Sequence, residues 1–207
     1  MVHYKLYYFP VRGYAETARQ LFALSKTPYE DIRLTHEEWP KHKAEMPFEK
    51  MPVLKIDDFA LPQSFAIIRY LARQFGYAGK NPLEEATVDA LGDLMKDYFS
   101  EAQPYFTAMR EQKPAAEHEK LKKEAYQPAV ERLFKFLEKY LKKSKSGFLV
   151  DSGLTWVDLF VADHLGTLTG FEPHALDGHK ELQHLREKVL AVPEIKQWVA
   201  KRPATQM

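Results

Sequence analysis

The segment from Met51 to Ser64 constrains the fold of this chain more than any other stretch. A proline directly precedes an alternating strand pattern, an Asp-Asp pair then predicts a turn, and a second short strand follows. Pro52 either holds a cis peptide, which would turn the N–H and C=O of Met51 toward open space, or is an ordinary trans proline at a sheet edge. With the cis form, an extended peptide could pair with those free backbone groups.

The same segment ends at the start of a predicted helix. Apolar residues at helical spacing define that helix: Ile67, Ile68, Leu71 and Phe75. Ser64 is the candidate N-cap residue, and Gln63 lies beside it. The free N–H groups and the positive dipole end of such a terminus favour a carboxylate, to which the hydroxyl and the primary amide would add neutral hydrogen bonds. The segment therefore predicts a site that holds a small peptide by its backbone and its carboxylate.

The pattern of predicted elements changes once along the chain. Before the Gly- and Pro-containing cluster at residues 76–82, the order is βαβ, a loop or short helix around Trp39, and ββα. After that cluster every strong pattern is helical, and Thr155 to Asp158 forms a capping box at one helix start. We therefore expect an α/β domain at residues 1–78 and an all-α domain at residues 84–207.

Composition narrows the classes of partner. The 207 residues carry 30 basic against 29 acidic side chains, a balance that gives no global reason to expect nucleic acid or an anionic membrane. Neither a signal-peptide pattern nor a membrane-length apolar run opens the sequence, so we expect a cytoplasmic protein. Cysteine is absent, which excludes disulfides, thiolate metal sites and a cysteine nucleophile. Any thiol chemistry must use the sulfur of a substrate.

Motifs for other chemistries are missing or weak. Neither glycine-rich phosphate-binding motif occurs, and the GxSxG motif of serine hydrolases is absent. His174, His179 and His184 are spaced by five, an interval that turns about 140° per step on a helix and keeps the side chains apart. We therefore expect surface histidines and no metal site.

Two tyrosines end the first predicted strand, next to a loop. Strand alternation points one of Tyr7 and Tyr8 inward and the other outward. A hydroxyl at this strand end could donate a hydrogen bond to a bound thiolate and lower the thiol pKa from its reference value of about 8.5. Alternatively, both rings only pack against the strand. The residue pattern alone leaves both interpretations open.

Several separate motifs resemble glutathione S-transferases of the sigma class, and together they span essentially the whole chain. They are YKLYYF, Tyr8-Phe9-x-x-Arg12-Gly13, EDIRL before Trp39, Pro47-Phe48, Met51-Pro52, Gln63-Ser64, AIIRYLARQFG and TWVDLFVAD. The resemblance implies a thioredoxin-like βαβ-ββα N-terminal domain, an all-helical C-terminal domain and a cytoplasmic homodimer. It also implies an enzyme of detoxification that activates glutathione, its co-substrate, for conjugation to hydrophobic electrophiles.

The resemblance also assigns roles to individual residues. Tyr8 would be the catalytic hydroxyl that stabilises the glutathione thiolate, and no metal would take part. The glutathione-binding residues would be Tyr8, Trp39, Lys43, Lys50, Met51, Pro52, Gln63, Ser64 and, from across the dimer, Asp97. The electrophile pocket would lie between the first loop and the helical domain, with the candidates Val11, Gly13, Tyr14, Phe106, His164 and Met207.

Three other functions stay open. The protein could hold haem, lipid or other hydrophobic ligands at the dimer cleft, or be a structural relative like the lens S-crystallins, which resemble this class but largely lack its activity. Prostaglandin isomerisation is the third, although Tyr14 stands where vertebrate prostaglandin D synthases of this class carry arginine. Retention of Tyr8, Trp39, Gln63 and Ser64 favours a transferase.

Overall fold

A mixed sheet forms the centre of the N-terminal half in the computed structural model, which describes residues 2–205. Its strands are β1 (Tyr4–Tyr8), β2 (Glu30–Arg33), β3 (Val53–Ile56) and β4 (Phe59–Pro62). They lie in the order β2-β1-β3-β4. Strand β1 runs parallel to β2 and antiparallel to β3, which forms a hairpin with β4. The expected thioredoxin-like βαβ-ββα arrangement is confirmed.

Helices pack against the inner face of this sheet. The helices of the N-terminal half are α1 (Glu16–Ser25), α2 (Trp39–His42) and α3 (Ser64–Phe75). The ring of Tyr4 on β1 meets Phe22 of α1 edge-on, with 5.3 Å between the ring centroids. Because strand residues alternate between faces, Tyr8 is buried on this same side, whereas Tyr7 is half-buried on the other.

The start of α3 differs from the expectation by one residue. Ser64 is the first residue of the helix, and Gln63 takes the N-cap position with φ +75°. The predicted capping role of Ser64 was therefore wrong. The reason is local: β4 continues to Pro62, so the chain must turn into α3 within the single residue Gln63.

The C-terminal half is helical throughout its regular structure, which confirms the expected fold class. Its helices are α4 (Pro82–Arg110), α5 (Ala115–Leu121), α6 (Gln127–Lys143), α7 (Trp156–Phe171), α8 (Lys180–Ala191) and α9 (Pro193–Lys201). A π-helical turn, Lys122–Tyr126, joins α5 to α6. Within residues 2–205, no helix combines the length and the apolar character that crossing a bilayer requires.

The two halves meet around Trp156, whose side chain is fully buried at the start of α7. Phe65 of α3 meets the indole edge-on at 5.9 Å, and the backbone N–H of Trp156 donates to the Tyr77 carbonyl at 2.9 Å. On α4, Gly92 leaves the space that the indole fills, since a Cβ atom there would lie 2.1 Å from the ring. This packing sets the position of α4 relative to α3.

The predicted capping box at Thr155–Asp158 is present and fully buried. Asp158 accepts hydrogen bonds from the N–H and the hydroxyl of Thr155, both at 2.8 Å. Its other carboxylate oxygen accepts the N–H of Leu149, also at 2.8 Å. Burial raises the pKa of Asp158 to about 6, against the opposing effect of these donors. One carboxylate therefore starts α7 and also holds the preceding loop.

Two of the three histidines considered as metal ligands pair with carboxylates. His174 lies 3.0 Å from Asp177, and His179 lies 2.8 Å from Glu138 on α6. In the part of the chain that the structure describes, no three His, Asp or Glu side chains converge on a point that could hold a metal ion.

Replacing Asp158 with alanine should lower the free energy of unfolding by about 3 to 5 kcal/mol, because the buried N–H groups of Leu149 and Thr155 lose their acceptor. Denaturant titration of both proteins measures this difference. Asp177→Ala is the matched control: that carboxylate is exposed, and its loss should change stability by about 0.5 kcal/mol or less. Equal losses in the two variants would contradict the role given to Asp158.

Candidate active site

A cleft of about 410 Å³ lies between the end of the β3-β4 hairpin and α4. Five of the predicted peptide-binding residues line it: Lys50, Met51, Pro52, Gln63 and Ser64. The hairpin brings them together because Val53 at the start of β3 pairs with Pro62 at the end of β4. The residues flanking this pair therefore share one edge of the sheet. The Met51-Pro52 peptide is cis, which settles the alternative left open by the sequence.

The electrostatics of the cleft favour an anionic ligand. Ser64 opens the twelve-residue helix α3, and Gln63 makes no capping hydrogen bond from its side chain within the described chain. The first N–H groups of a helix lack partners inside the helix, and the helix dipole makes this end positive. Lys50 and Lys96 add two cations to the cleft lining. A carboxylate placed at the start of α3 would meet both sources of positive potential.

Gln63 holds an unusual backbone conformation at the centre of this arrangement. Its φ of +75° and ψ of +117° lie in a region of backbone conformation that residues other than glycine rarely adopt. Such a conformation costs on the order of 1–3 kcal/mol and persists where surrounding structure or function requires it. Here it places an exposed primary amide beside the first turn of α3.

Tyr8 lies immediately behind the cleft, at the end of β1. Its hydroxyl accepts a hydrogen bond from the backbone N–H of Tyr14 at 3.2 Å, and Tyr14 itself lines the cleft. Gly13 comes so close that a Cβ atom there would lie 2.7 Å from the hydroxyl, at a φ of +42°. Only glycine fits this position without displacing the loop.

The environment of Tyr8 keeps its hydroxyl protonated at neutral pH. Burial raises the pKa of Tyr8, whereas the Tyr14 N–H and the nearby Arg19 guanidinium lower it. The net direction is upward, so the hydroxyl retains its proton. Because its oxygen already accepts the Tyr14 N–H, the O–H is available as a donor toward an acceptor in front of it.

Arg19 holds the loop that connects β1 to α1. Its side chain is fully buried, and Nη1 donates to the carbonyl of Val11 at 2.7 Å. Weaker contacts of 3.5 Å reach the carbonyls of Phe9 and Arg12. The guanidinium is neutralised by Asp31, 3.1 Å away on β2.

The other predicted glutathione-binding residues, like Tyr8, are not among the residues that line the cleft. Trp39 of α2 packs edge-on against Phe9, with 6.0 Å between the rings. Lys43 lies 3.8 Å from Glu49, in the segment that leads to Lys50. Asp97 is exposed on α4, next to the lining residue Lys96.

The predicted electrophile residues are more scattered. Tyr14 lines the cleft and meets Phe99 edge-on at 5.8 Å. Val11 and Gly13 lie in the first loop, whereas Phe106 packs within the helical half against Tyr126, 5.8 Å away. Met207 lies outside the described residues.

His164, a further electrophile candidate, is buried behind the cleft. Its ring packs edge-on against Phe99 at 4.9 Å and Tyr98 at 5.1 Å. Burial, assisted by the positive charge of Arg12, lowers the pKa of His164 to about 3, so the ring is neutral. It supports the wall that Phe99 presents to the cleft.

Sequence reasoning missed one wall of the cleft. That wall is a stripe on α4 formed by Lys96, Phe99, Ser100 and Gln103. These positions follow the i, i+3, i+4, i+7 spacing of one helix face, which was available as a signal. Phe48, Pro62 and Phe65 complete the lining from the other side.

Comparisons with known proteins point to one family. Models of the glutathione S-transferase N-terminal and C-terminal domains match residues 4–73 and 101–202. The chain is 45% identical to probable glutathione S-transferase 5 of Caenorhabditis elegans, over 99% of each chain.

Two solved structures extend the comparison. A Nu-class glutathione S-transferase from Haemonchus contortus is 47% identical, with a TM-score of 0.90 over 100% of each chain. Monomeric Na-GST-3, a glutathione S-transferase from the hookworm Necator americanus, is 45% identical, with a TM-score of 0.93 over 99% of this chain and 100% of that one.

Replacing Gln63 with glycine should have two separate effects, one on stability through the backbone conformation and one on binding through the lost amide. Relief of the positive φ should leave the free energy of unfolding unchanged or raise it by up to about 1 kcal/mol. Because the amide is expected to bind a carboxylate of glutathione, its loss should weaken glutathione binding about tenfold. Calorimetric titration and denaturant unfolding measure the two effects.

Gln74→Gly is the control for this substitution, because Gln74 is exposed on α3 and away from the cleft lining. It should lower stability by about 1 kcal/mol and leave binding unchanged. Unchanged glutathione binding in Gln63→Gly would show that the Gln63 side chain does not bind glutathione.

Proposed function

This chain belongs to the glutathione S-transferase family, and we propose that it conjugates glutathione to hydrophobic electrophiles by stabilising the glutathione thiolate through Tyr8. Membership of the family makes it an enzyme that uses glutathione as co-substrate. One observation carries the mechanistic part of the proposal. The Tyr8 hydroxyl is buried and protonated, its oxygen is occupied by the Tyr14 N–H, and Tyr14 lines the cleft.

In the proposed reaction, Tyr8 donates its O–H hydrogen bond to the glutathione sulfur. The thiol proton leaves to solvent, and a sulfur lone pair attacks the electrophilic carbon to form the new C–S bond. With a chloronitrobenzene, the C–Cl bond then breaks and chloride leaves to solvent with the bonding electron pair. Lowering the thiol pKa by two units requires about 2.7 kcal/mol of preferential thiolate stabilisation. A hydrogen bond to a charged group contributes about 1.5–3 kcal/mol, so one donor at Tyr8 accounts for most of this requirement.

The proposed peptide contacts follow from the layout of the cleft. The backbone of Met51, before Pro52, would pair with the cysteinyl residue, as a strand pairs at a sheet edge. Gln63 and Ser64 would bind the γ-glutamyl carboxylate at the positive end of α3. The glycyl end would then lie toward Lys50, with its carboxylate near Lys43 and Trp39.

The electrophile would occupy the aromatic side of the cleft. Tyr14 and Phe99 provide an open apolar surface with few polar groups in fixed positions. Apolar contacts discriminate weakly between molecules of similar size. Breadth of substrate is therefore part of the proposal, in keeping with a detoxification role in the cytoplasm.

We further propose that the chain is of the sigma class and functions as a homodimer in which Asp97 reaches the γ-glutamyl amine of the partner site. Phe48 supports an interface beside the cleft, because its ring is 58% exposed on the loop before β3. Covering an exposed aromatic ring with a partner surface removes apolar area from water, which stabilises the dimer.

Tyr8→Phe should lower kcat/KM for conjugation of glutathione to 1-chloro-2,4-dinitrobenzene about 10- to 100-fold, because the donor to the thiolate is lost. Steady-state kinetics at pH 6.5 measures the change. Tyr7→Phe is the matched control, since Tyr7 lies on the other face of β1, beside Lys55. Equal activity in Tyr8→Phe and the wild type would refute the role of Tyr8.

Phe48→Ser should weaken the homodimer about tenfold or more, since an apolar anchor is removed from the interface. Sedimentation velocity at micromolar protein measures the change. Phe59→Ser is the control, because Phe59 is 62% exposed but lies on β4 at the turn end of the hairpin. A wild type that sediments as a monomer at this concentration would contradict the proposed dimer.

A further inference from the structure

We propose that Asp163 on α7, together with Trp198 and Arg202 at the C-terminal end of the described chain, acts to position the Tyr8 hydroxyl. These residues hold the loop at residues 10–14, which supplies the Tyr14 N–H to that hydroxyl. The inference deepens the proposed function and rests on it for its catalytic consequence. The structural coupling itself can be measured without any reaction.

Arg12 is the point where the loop is tied to the helical half. Its Nη1 donates to Asp163 Oδ1 at 2.8 Å, and its Nη2 donates to Thr167 Oγ1 at 3.1 Å. The side chains of Arg12 and Asp163 are both largely buried, with 10% and 12% of their side-chain surface exposed. A partly buried ion pair of this kind is weakly screened by salt and directionally specific.

Asp163 binds a second arginine, Arg202, as well as Arg12. Arg202, just after α9, donates from Nη1 to the same Oδ1 atom at 3.0 Å. The same nitrogen donates to Glu16 Oε1 at 2.6 Å, and the Trp198 indole N–H donates to that oxygen at 2.7 Å. Arg202 thus joins two acidic residues, one at the start of α1 and one on α7.

Glu16 closes the network on the side of Tyr8. Its carboxylate is buried and lies 3.7 Å from Arg19, which holds the carbonyls of the loop. Burial and the neighbouring Asp163 raise the pKa of Glu16, whereas Arg202 and the Trp198 N–H lower it. Among residues 2–205, the cationic partners that Glu16 and Asp163 would keep without Arg202 are Arg19 and Arg12, the two residues that hold the loop.

The geometry at Tyr8 makes the loop position matter. The Tyr14 N–H donates over 3.2 Å, at the long end of the usual range, so a small outward shift would break this bond. On the inward side the space is small, since a Cβ atom at Gly13 would lie 2.7 Å from the Tyr8 hydroxyl. The contacts of Arg12 and Arg202 oppose an outward movement of the loop.

The network lies apart from the peptide-binding edge. The cleft lining around Met51, Gln63 and Ser64 contains none of its described residues. Weakening the network should therefore change thiolate stabilisation, seen in kcat and in the pH profile, with little change in KM for glutathione. A loss of general stability would not produce this separation.

Arg202→Met removes the charge and keeps most of the side-chain volume, and Arg202→Lys restores the charge. Arg132→Met is the control, because Arg132 pairs with Glu101 at an exposed position on α6. Each variant is compared with the wild type for the pH midpoint of kcat/KM, for KM of glutathione and for hydrogen exchange of the peptide covering residues 9–15. Thermal unfolding is recorded in parallel.

For Arg202→Met we expect kcat to fall about threefold to tenfold, the pH midpoint to rise, and KM for glutathione to stay within about twofold. Exchange at residues 9–15 should be about tenfold faster, since the Tyr14 N–H loses its protection. Arg202→Lys should recover part of both effects, and Arg132→Met should resemble the wild type.

Unchanged exchange at residues 9–15 in Arg202→Met would overturn the coupling, even if the variant melts at a lower temperature. Faster exchange with an unchanged pH midpoint would overturn the positioning role. If the wild type itself showed no conjugation, the proposed function would fail, while the exchange comparison would still decide the coupling.

Discussion

The site depends on the hydrogen bonds and ion pairs that the buried guanidinium of Arg19 makes with the first loop and its neighbours. A charge in the interior is costly unless it is paired and hydrogen-bonded, and this one meets Asp31, Glu16 and the carbonyls of the first loop. Between the end of β1 at Tyr8 and the start of α1 at Glu16, the Arg12 carbonyl accepts the Ala15 N–H at 3.3 Å, and the Val11 carbonyl accepts Arg19 at 2.7 Å. Arg19 thus holds this loop, and the position of the Tyr14 N–H follows from it.

Much of the fold was predictable because its signals are local. Alternation identified the strands, helical spacing identified α3, α4 and α6, and the Thr155–Asp158 capping box marked the start of α7. The peptide-binding edge was predictable because a hairpin necessarily brings its two ends together. The wrong prediction at Ser64 also came from a local signal. Serine is a preferred N-cap residue, but the position of Gln63 in the turn makes Gln63 the N-cap residue.

The rest depends on contacts between distant positions. Arg12 and Asp163 are 151 residues apart, and Glu16 and Arg202 are 186 apart, so no spacing rule relates them. A buried charged side chain requires a partner, but the sequence does not show which residue that partner is. The stripe on α4 was visible as a spacing, yet which face of α4 meets the cleft follows from the packing of the helices against α3 and the sheet, which the spacing does not give.

Thiolate stabilisation at the end of β1 can be measured on the wild-type protein by following the ultraviolet absorbance of the thiolate of bound glutathione across pH. We expect the bound thiol to titrate about two units below its ordinary pKa of about 8.5. Titration of the bound thiol at its ordinary pKa would show that Tyr8 does not stabilise the thiolate.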